Sequence, residues 1–182
     1  KILVEALFEF SKTQARDAVL NLTTISLGDL FAQLLASYEI EAHEHQIEMM
    51  QITNPELIIL EADSDKLARV LINLITNAFK YGEGATYIKL TAQVKAQEVE
   101  IRVINNGVQI PQEALLEIFD RFYRVESSRN SKTGGTGLGL AIVKGIILQH
   151  GGTVRATSDA ELTTFIMTLP LKQSRGNRDE VD

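Results

Sequence analysis

The chain has 182 residues, 45% of them apolar, a formal net charge of −6 and no cysteine. That composition supports a packed core in one domain of ordinary size plus an attached element, and it excludes disulfides and thiolate metal sites. No basic stripe stands out, which argues against nucleic acid or an anionic membrane as partner, and no apolar run approaches the ~20 residues that span a bilayer.

The chain starts at Lys1 inside an amphipathic pattern, with Leu3, Leu7 and Phe10 at helical spacing and Ala6 between them. The pattern predicts a helix over about residues 1–20 with a break near Ser11, read as the cut end of a longer helix in a larger protein. "LTTISLGDLFAQLLASYEIEA" reads as a short strand and a helix capped by Ser26. "QIEMMQI" and "ELIILEA" flank the turn signal "TNP" and predict a hairpin. Asp63 or Ser64 is placed to cap a helix over about 65–81, whose Leu67, Val70, Leu71, Leu74, Ile75 and Ala78 form a continuous apolar seam.

After "GEG", the segments "TYIKLTAQVKA" and "VEIRVIN" alternate and predict an antiparallel pair with one buried face. "IPQEALLEIF" predicts a short helix entered through Pro111. The polar stretch "DRFYRVESSRNSKTGGTG" follows, and a long irregular segment inside a compact domain usually signals function. A helix over about 137–149, strands at "TVRATS" and "TTFIMTL", and a polar tail from Gln173 complete the chain; the tail is expected to be disordered. There are no internal repeats.

Three constellations carry chemistry. In "NLITNAFKYG", Asn73, Asn77 and Tyr81 fall on one stripe beside the seam, with Lys80 close by. Asn is a poor residue for a helix interior, so two of them on one face ask for a reason. Amide carbonyls suit Mg²⁺, which takes one or two protein oxygens and completes its octahedron with water and phosphate; Lys80 and the Tyr81 hydroxyl would serve phosphate oxygens. A surface helix with an ordinary polar face is the competing reading. In "KTGGTGLGLAIVKGI", glycines feed a helix N-terminus, whose free N–H groups and dipole suit a polyphosphate; a flexible loop is the alternative. In "VINNGVQIP", Asn105 and Asn106 before Gly107 mark either a tight turn or a strand end that presents an amide to a ligand.

Together, NxxxNAxKY, NNGxxIP, FDRFYR and GGTGLGLAIVK, in this order, resemble the catalytic and ATP-binding domain of bacterial sensor histidine kinases, members of the GHKL ATPase group. The resemblance covers about residues 26–170, and "EALFEFSKTQ" resembles the end of the second helix of that family's dimerisation and histidine-phosphotransfer domain. It implies a two-layer α/β sandwich, a mixed and mostly antiparallel sheet with helices on one face, preceded by a helical stub. The implied division is residues 1–22 for the end of the dimerisation helix and linker, 23–172 for the catalytic domain, and 173–182 for a disordered tail.

The resemblance implies ATP and Mg²⁺ as cofactors. Asn77 would hold the metal with Asn73 beside it, and Lys80 and Tyr81 would contact phosphates. Asn105, Gly107 and Ile110 would form the first glycine box. Phe119 and Phe122 would anchor a mobile lid, with Tyr123 also at the nucleotide. Arg124 and Arg129 would reach the γ-phosphate. Gly135, Thr136, Gly137, Leu138, Gly139 and Leu140 would form the second glycine box. Asn77, Lys80 and Arg124 are the expected catalytic groups. The first glycine box departs from the usual DxGxGI: Asn105 replaces the Asp, and Gln109 replaces the second glycine.

The implied activity is transfer of the γ-phosphate to a histidine on the protein's own dimerisation domain, in a homodimer, for relay to a response regulator receiver domain. His43 and His45 are expected to face solvent, and His150 to sit at a helix C-terminus where a cation is favourable. None stands in the context of a phosphorylated histidine, so the acceptor is expected upstream. The resemblance implies a cytoplasmic domain and leaves membrane anchoring of the whole protein open. An ATPase or serine kinase of the same fold, and a degenerate scaffold that binds no nucleotide, remain as other readings.

Overall fold

The computed structural model describes residues 19–125 and 136–173. The expected N-terminal helix, most of the lid and the C-terminal tail lie outside the described residues.

The first strand, β1 (Leu22–Ser26), runs into helix α1 (Leu27–Ser37), where the Ser26 hydroxyl accepts from the Asp29 N–H at 3.3 Å. A short helix α2 (Glu39–His45) ends at Gln46, in the left-handed conformation, and leads into β2 (Glu48–Asn54). Strand β3 (Ile59–Asp63) delivers Asp63 to the start of α3 (Ser64–Tyr81), where its carboxylate accepts from the Lys66 N–H at 3.1 Å. Strands β4 (Tyr87–Lys95) and β5 (Glu98–Asn105) form the expected antiparallel pair. Helix α4 (Gly139–Gln149), β6 (Thr153–Ser158) and β7 (Thr163–Pro170) close the domain.

The main sheet has the order β2-β4-β5-β7-β6, with β2 parallel to β4 and the other pairs antiparallel. Its inner face carries Leu90, Ile101, Val103, Met167 and Leu169, all buried in one core with the seam of α3. All six predicted seam residues of α3 are buried. Helix α4 adds Val143, Ile146 and Ile147, and α1 adds Leu27 and Phe31. This is the expected two-layer α/β architecture, a mixed sheet with helices over one face.

Two expectations are corrected. The segments around "TNP" do not form a hairpin: β2 joins β4 in the main sheet, while β3 pairs antiparallel with β1 in a separate two-stranded sheet. A turn signal establishes that the chain changes direction, not which strand it meets next. β3 finds burial for Leu60 and Ala62 by pairing with β1 over the core, and Ile58 O accepts from the Leu27 N–H at 3.0 Å. The short helix after Pro111 is instead a run of turns, with Ala114 N bonded to Pro111 O, Leu115 N to Gln112 O and Glu117 N to Ala114 O. The tightened backbone still buries Ala114, Ile118 and Phe119.

Candidate nucleotide-binding site

A cavity of about 390 Å³ opens between α3, the end of β5, the segment after Pro111 and the start of α4. That volume is within the range of small-ligand sites, roughly 300–1,000 Å³. It is lined by Asn73, Asn77, Lys80 and Tyr81 of α3, by Asn105 and Ile110, by Tyr123 and Arg124, and by Thr136, Gly137, Gly139 and Leu140. Gly107, Phe122 and Leu138 are not in its wall, and Arg129 and Gly135 lie outside the described residues.

The helix explains how it carries its asparagines. Asn73 Nδ2 donates to Arg69 O, one turn back, at 2.9 Å, so its NH₂ group is satisfied within the helix. Its Oδ1 lies against Gly139, where an added Cβ would come within 3.1 Å of it. Asn73 thereby packs α3 against the start of α4. Asn77, a turn later and half-buried, makes no side-chain hydrogen bond among the described residues and faces the cavity. An unpaired amide oxygen there could ligate a hard cation. Among the described residues there is no cluster of His, Cys, Asp and Glu able to hold a metal by itself. Asn77 therefore fits an ion that takes its remaining ligands from phosphate and water.

At the end of β5 the two asparagines divide the work. Asn106 Oδ1 accepts from the Thr86 and Tyr87 N–H groups at 2.9 and 3.1 Å, and its Nδ2 donates to Thr86 Oγ1 at 2.9 Å. That ties the loop after α3 to the strand end. Gly107 lies on Gly82 so closely that a Cβ would meet Gly82 Cα at 2.4 Å. Its role is backbone approach, which only glycine permits. Asn105 is buried and in the wall. Among the described non-glycine residues only Gln46, Ala96 and Phe122 have positive φ, so Gln109 occupies its glycine-box position without backbone strain.

Phe122 and Gly137, on either side of residues 126–135, are joined. The Phe122 N–H donates to Gly137 O at 3.0 Å, with φ of +61° at Phe122 and +71° at Gly137. A Cβ on Gly137 would come within 2.9 Å of the Phe122 backbone. Phe119 packs edge-on against Phe165, ring centroids 6.3 Å apart, whereas the ring of Phe122 is turned to solvent, 57% exposed. Phe122 thus contributes its backbone to the junction. Leu138 is fully buried, precedes α4 and gives that helix no side-chain cap, and the first residues of the helix, Gly139 and Leu140, line the cavity.

The sequence reading missed Thr163 and Ser158. Thr163 lines the cavity opposite Asn105 in the β5–β7 register, and its hydroxyl lies 2.6 Å from Ser158 Oγ. Ser158 Oγ also accepts from the Ile110 N–H at 2.9 Å. The available signal was a threonine on the apolar phase of "TTFIMTL", where Phe165, Met167 and Leu169 face the core.

His150 is also corrected. It is 1% exposed, with Nε2 accepting from the Asp63 N–H at 3.1 Å and Nδ1 2.8 Å from Ile146 O. Both bonds require the neutral Nδ1–H tautomer. Burial holds its pKa below the usual imidazole value, against the opposing pull of the Ile146 carbonyl and Asp63. His150 is an uncharged brace between α4 and the start of α3. His43 and His45 are exposed on α2, as expected.

Residues 62–173 match the family of histidine kinase-, DNA gyrase B-, and HSP90-like ATPases. The chain belongs to that family. It is 39% identical over 170 residues to the sensor protein VanS of Enterococcus faecium, covering 92% of this chain and 43% of that protein. It is 34% identical over 176 residues to the sensor histidine kinase WalK of Bacillus subtilis, covering 95% of this chain and 29% of that one. The chain thus spans less than half of these relatives. Among solved structures, the nucleotide-free catalytic domain of the histidine kinase ThkA superposes with a TM-score of 0.75 at 29% identity, covering 84% of this chain and 97% of that domain. Full-length ShkA in complex with AMPPNP superposes with a TM-score of 0.83 at 27% identity, covering 94% of this chain and 36% of ShkA. Within the family this chain is an ATP-binding catalytic domain of the sensor histidine kinase type. No helix among the described residues is long and apolar enough to cross a membrane.

Proposed function

We propose that this domain binds Mg·ATP in the cavity and presents the γ-phosphate to a histidine on a separate dimerisation domain of the same protein. The observation that carries this reading is the convergence of Asn77, Lys80, Arg124 and the uncapped start of α4 on one cavity. Phosphoryl transfer requires positioning and charge stabilisation more than covalent help, and this set supplies donors and cations rather than a nucleophile. Asn77 would contribute an oxygen to the ion, Lys80 and Tyr81 would hold phosphate oxygens, and Arg124 would face the charge that develops on transfer. The bound magnesium would neutralise phosphate charge. Gly137 and the amides up to Leu140 would lie against the phosphates, and the junction of Phe122 with Gly137 would set where the lid starts and ends.

In this reading residues 23–172 would form the catalytic domain. The whole protein would be a homodimer acting in the cytoplasm, phosphorylated on its own histidine, that passes the phosphate to a response regulator. Its support is likeness: a structure of ThkA with the response regulator protein TrrA superposes on 93% of this chain at a TM-score of 0.76 and 29% identity, with 46% of that chain covered. Isothermal titration of this chain with ATP, with and without Mg²⁺, tests the core of the proposal. Heat that depends on magnesium is expected. A folded sample that gives none at millimolar ATP would leave only a scaffold.

A further inference from the structure

Asn105 ends β5 on the inner face of the sheet, and only 4% of it is exposed. Its side-chain amide has no hydrogen-bond partner among the described residues, yet it lines the cavity beside Ile110, Ile118 and Phe165. The amide atoms open into the cavity, and a ligand that covers them strips their water, so a bound ligand must complete them or leave them unpaired at a cost. Apolar walls around a few polar groups suit the edge of a planar heteroaromatic base.

The polar groups here do not fix which edge. An amide offers an acceptor, Oδ1, beside a donor, Nδ2, and presents them in either order by turning over, whereas a carboxylate at this position could only accept. Thr163 stands opposite, and its hydroxyl shares a 2.6 Å contact with Ser158 in which either oxygen can donate. Ser158 Oγ already accepts from the Ile110 N–H, so the Thr163 hydrogen can turn to Ser158 or into the cavity. Both groups at the strand ends are therefore reversible.

A 6-aminopurine shows an N6–H donor next to the N1 acceptor. A 6-oxopurine shows the reverse, an O6 acceptor next to an N1–H donor. The amide matches each with two parallel bonds: N6–H to Oδ1 and Nδ2–H to N1 in the first case, Nδ2–H to O6 and N1–H to Oδ1 in the second. We propose that this pocket takes 6-oxopurine nucleoside triphosphates as well as ATP, with Asn105 reading either edge. The proposal rests on the reading of the cavity as a nucleoside triphosphate site. Where a site can pair either base, the large discrimination that arises from stranded polar groups disappears.

The test is isothermal titration of the whole chain with Mg²⁺ and either ATP or inosine triphosphate, which carries the 6-oxo edge without guanine's extra amino group. The two should bind within tenfold of each other. Asn105→Asp, which removes the donor, should weaken both nucleotides alike, since each keeps one N–H bond to the carboxylate and sets its acceptor, N1 or O6, against the other oxygen. Asn105→Leu should also weaken both. ATP binding with inosine triphosphate more than tenfold weaker in the unsubstituted chain overturns the base assignment and leaves the nucleotide site standing. Unchanged affinity for both nucleotides in both variants overturns the role given to Asn105. Silence with both nucleotides removes the site itself.

Discussion

Replacing His150 with Leu should destabilise the domain by about 3 kcal/mol. The substitution removes two buried hydrogen bonds, to Asp63 N–H and Ile146 O. Each contributes on the order of 1 kcal/mol net, and a buried N–H left without a partner costs roughly 1–3 kcal/mol more. Ile146 O keeps a second donor, the backbone N–H of residue 150, so the stranded group is Asp63 N–H alone. For a chain of this size, about 3 kcal/mol lowers Tm by roughly 6–12 °C. A pH signature separates this brace from simple packing. The folded pKa of His150 is lowered by burial, so above the unfolded value of about 6.5 both states are neutral and the group contributes no pH dependence. Below it the unfolded chain takes up a proton that the folded chain refuses, and stability falls with pH until the folded pKa is reached. The slope from this one group is at most about 1.4 kcal/mol per pH unit. Urea denaturation at pH 7.5 and 5.5 should therefore show a larger acid loss for the unsubstituted chain than for His150→Gln. Identical acid losses in the two proteins would refute the neutral-brace assignment.

Asn77→Ala should abolish the magnesium dependence of ATP binding, because the missing oxygen lies in the cavity wall rather than the core; urea midpoints should stay within about 0.5 kcal/mol of the unsubstituted chain. Gly107→Ala should cost about 1–3 kcal/mol or more in the same assay, since its Cβ would meet Gly82 Cα at 2.4 Å; unchanged stability contradicts the close approach. The chain alone should not phosphorylate itself on histidine. His150 is buried and bonded through both ring nitrogens, and His43 and His45 lie on α2, which contributes nothing to the cavity wall. Labelled ATP should leave no acid-labile phosphate on the chain, and acid-labile label should form in trans on a separately made dimerisation domain; label on any of the three histidines counts against the division of labour.

What could be read from the sequence was what local spacing determines. The seam of α3 is a statement about 3.6-residue periodicity, and all six of its residues are buried. Ser26 and Asp63 cap their helices because a short polar side chain before a periodic run has one favourable use. Illegible features depend on partners distant in the chain. "TNP" could not reveal that β2 meets β4, 33 residues or more away in order, while β3 turns back to β1. Thr163 belongs to the cavity only because β7 lies beside β5, a register no local pattern encodes. His150 shows the sharpest divergence. Its place after a helix argues for a cation by the dipole rule, which describes a solvated helix end. Here the end is closed by the start of α3, and the desolvation that follows outweighs the Ile146 carbonyl and the nearby carboxylate. The same distinction divides the neighbouring asparagines. Their residue type announced polar business at the strand end, but only the pairing shows that Asn106 is consumed by Thr86 and Tyr87. Asn105, one residue earlier and on the opposite face, keeps its amide for the cavity. Strand alternation assigns the two to different faces, and tertiary pairing decides which face holds the ligand.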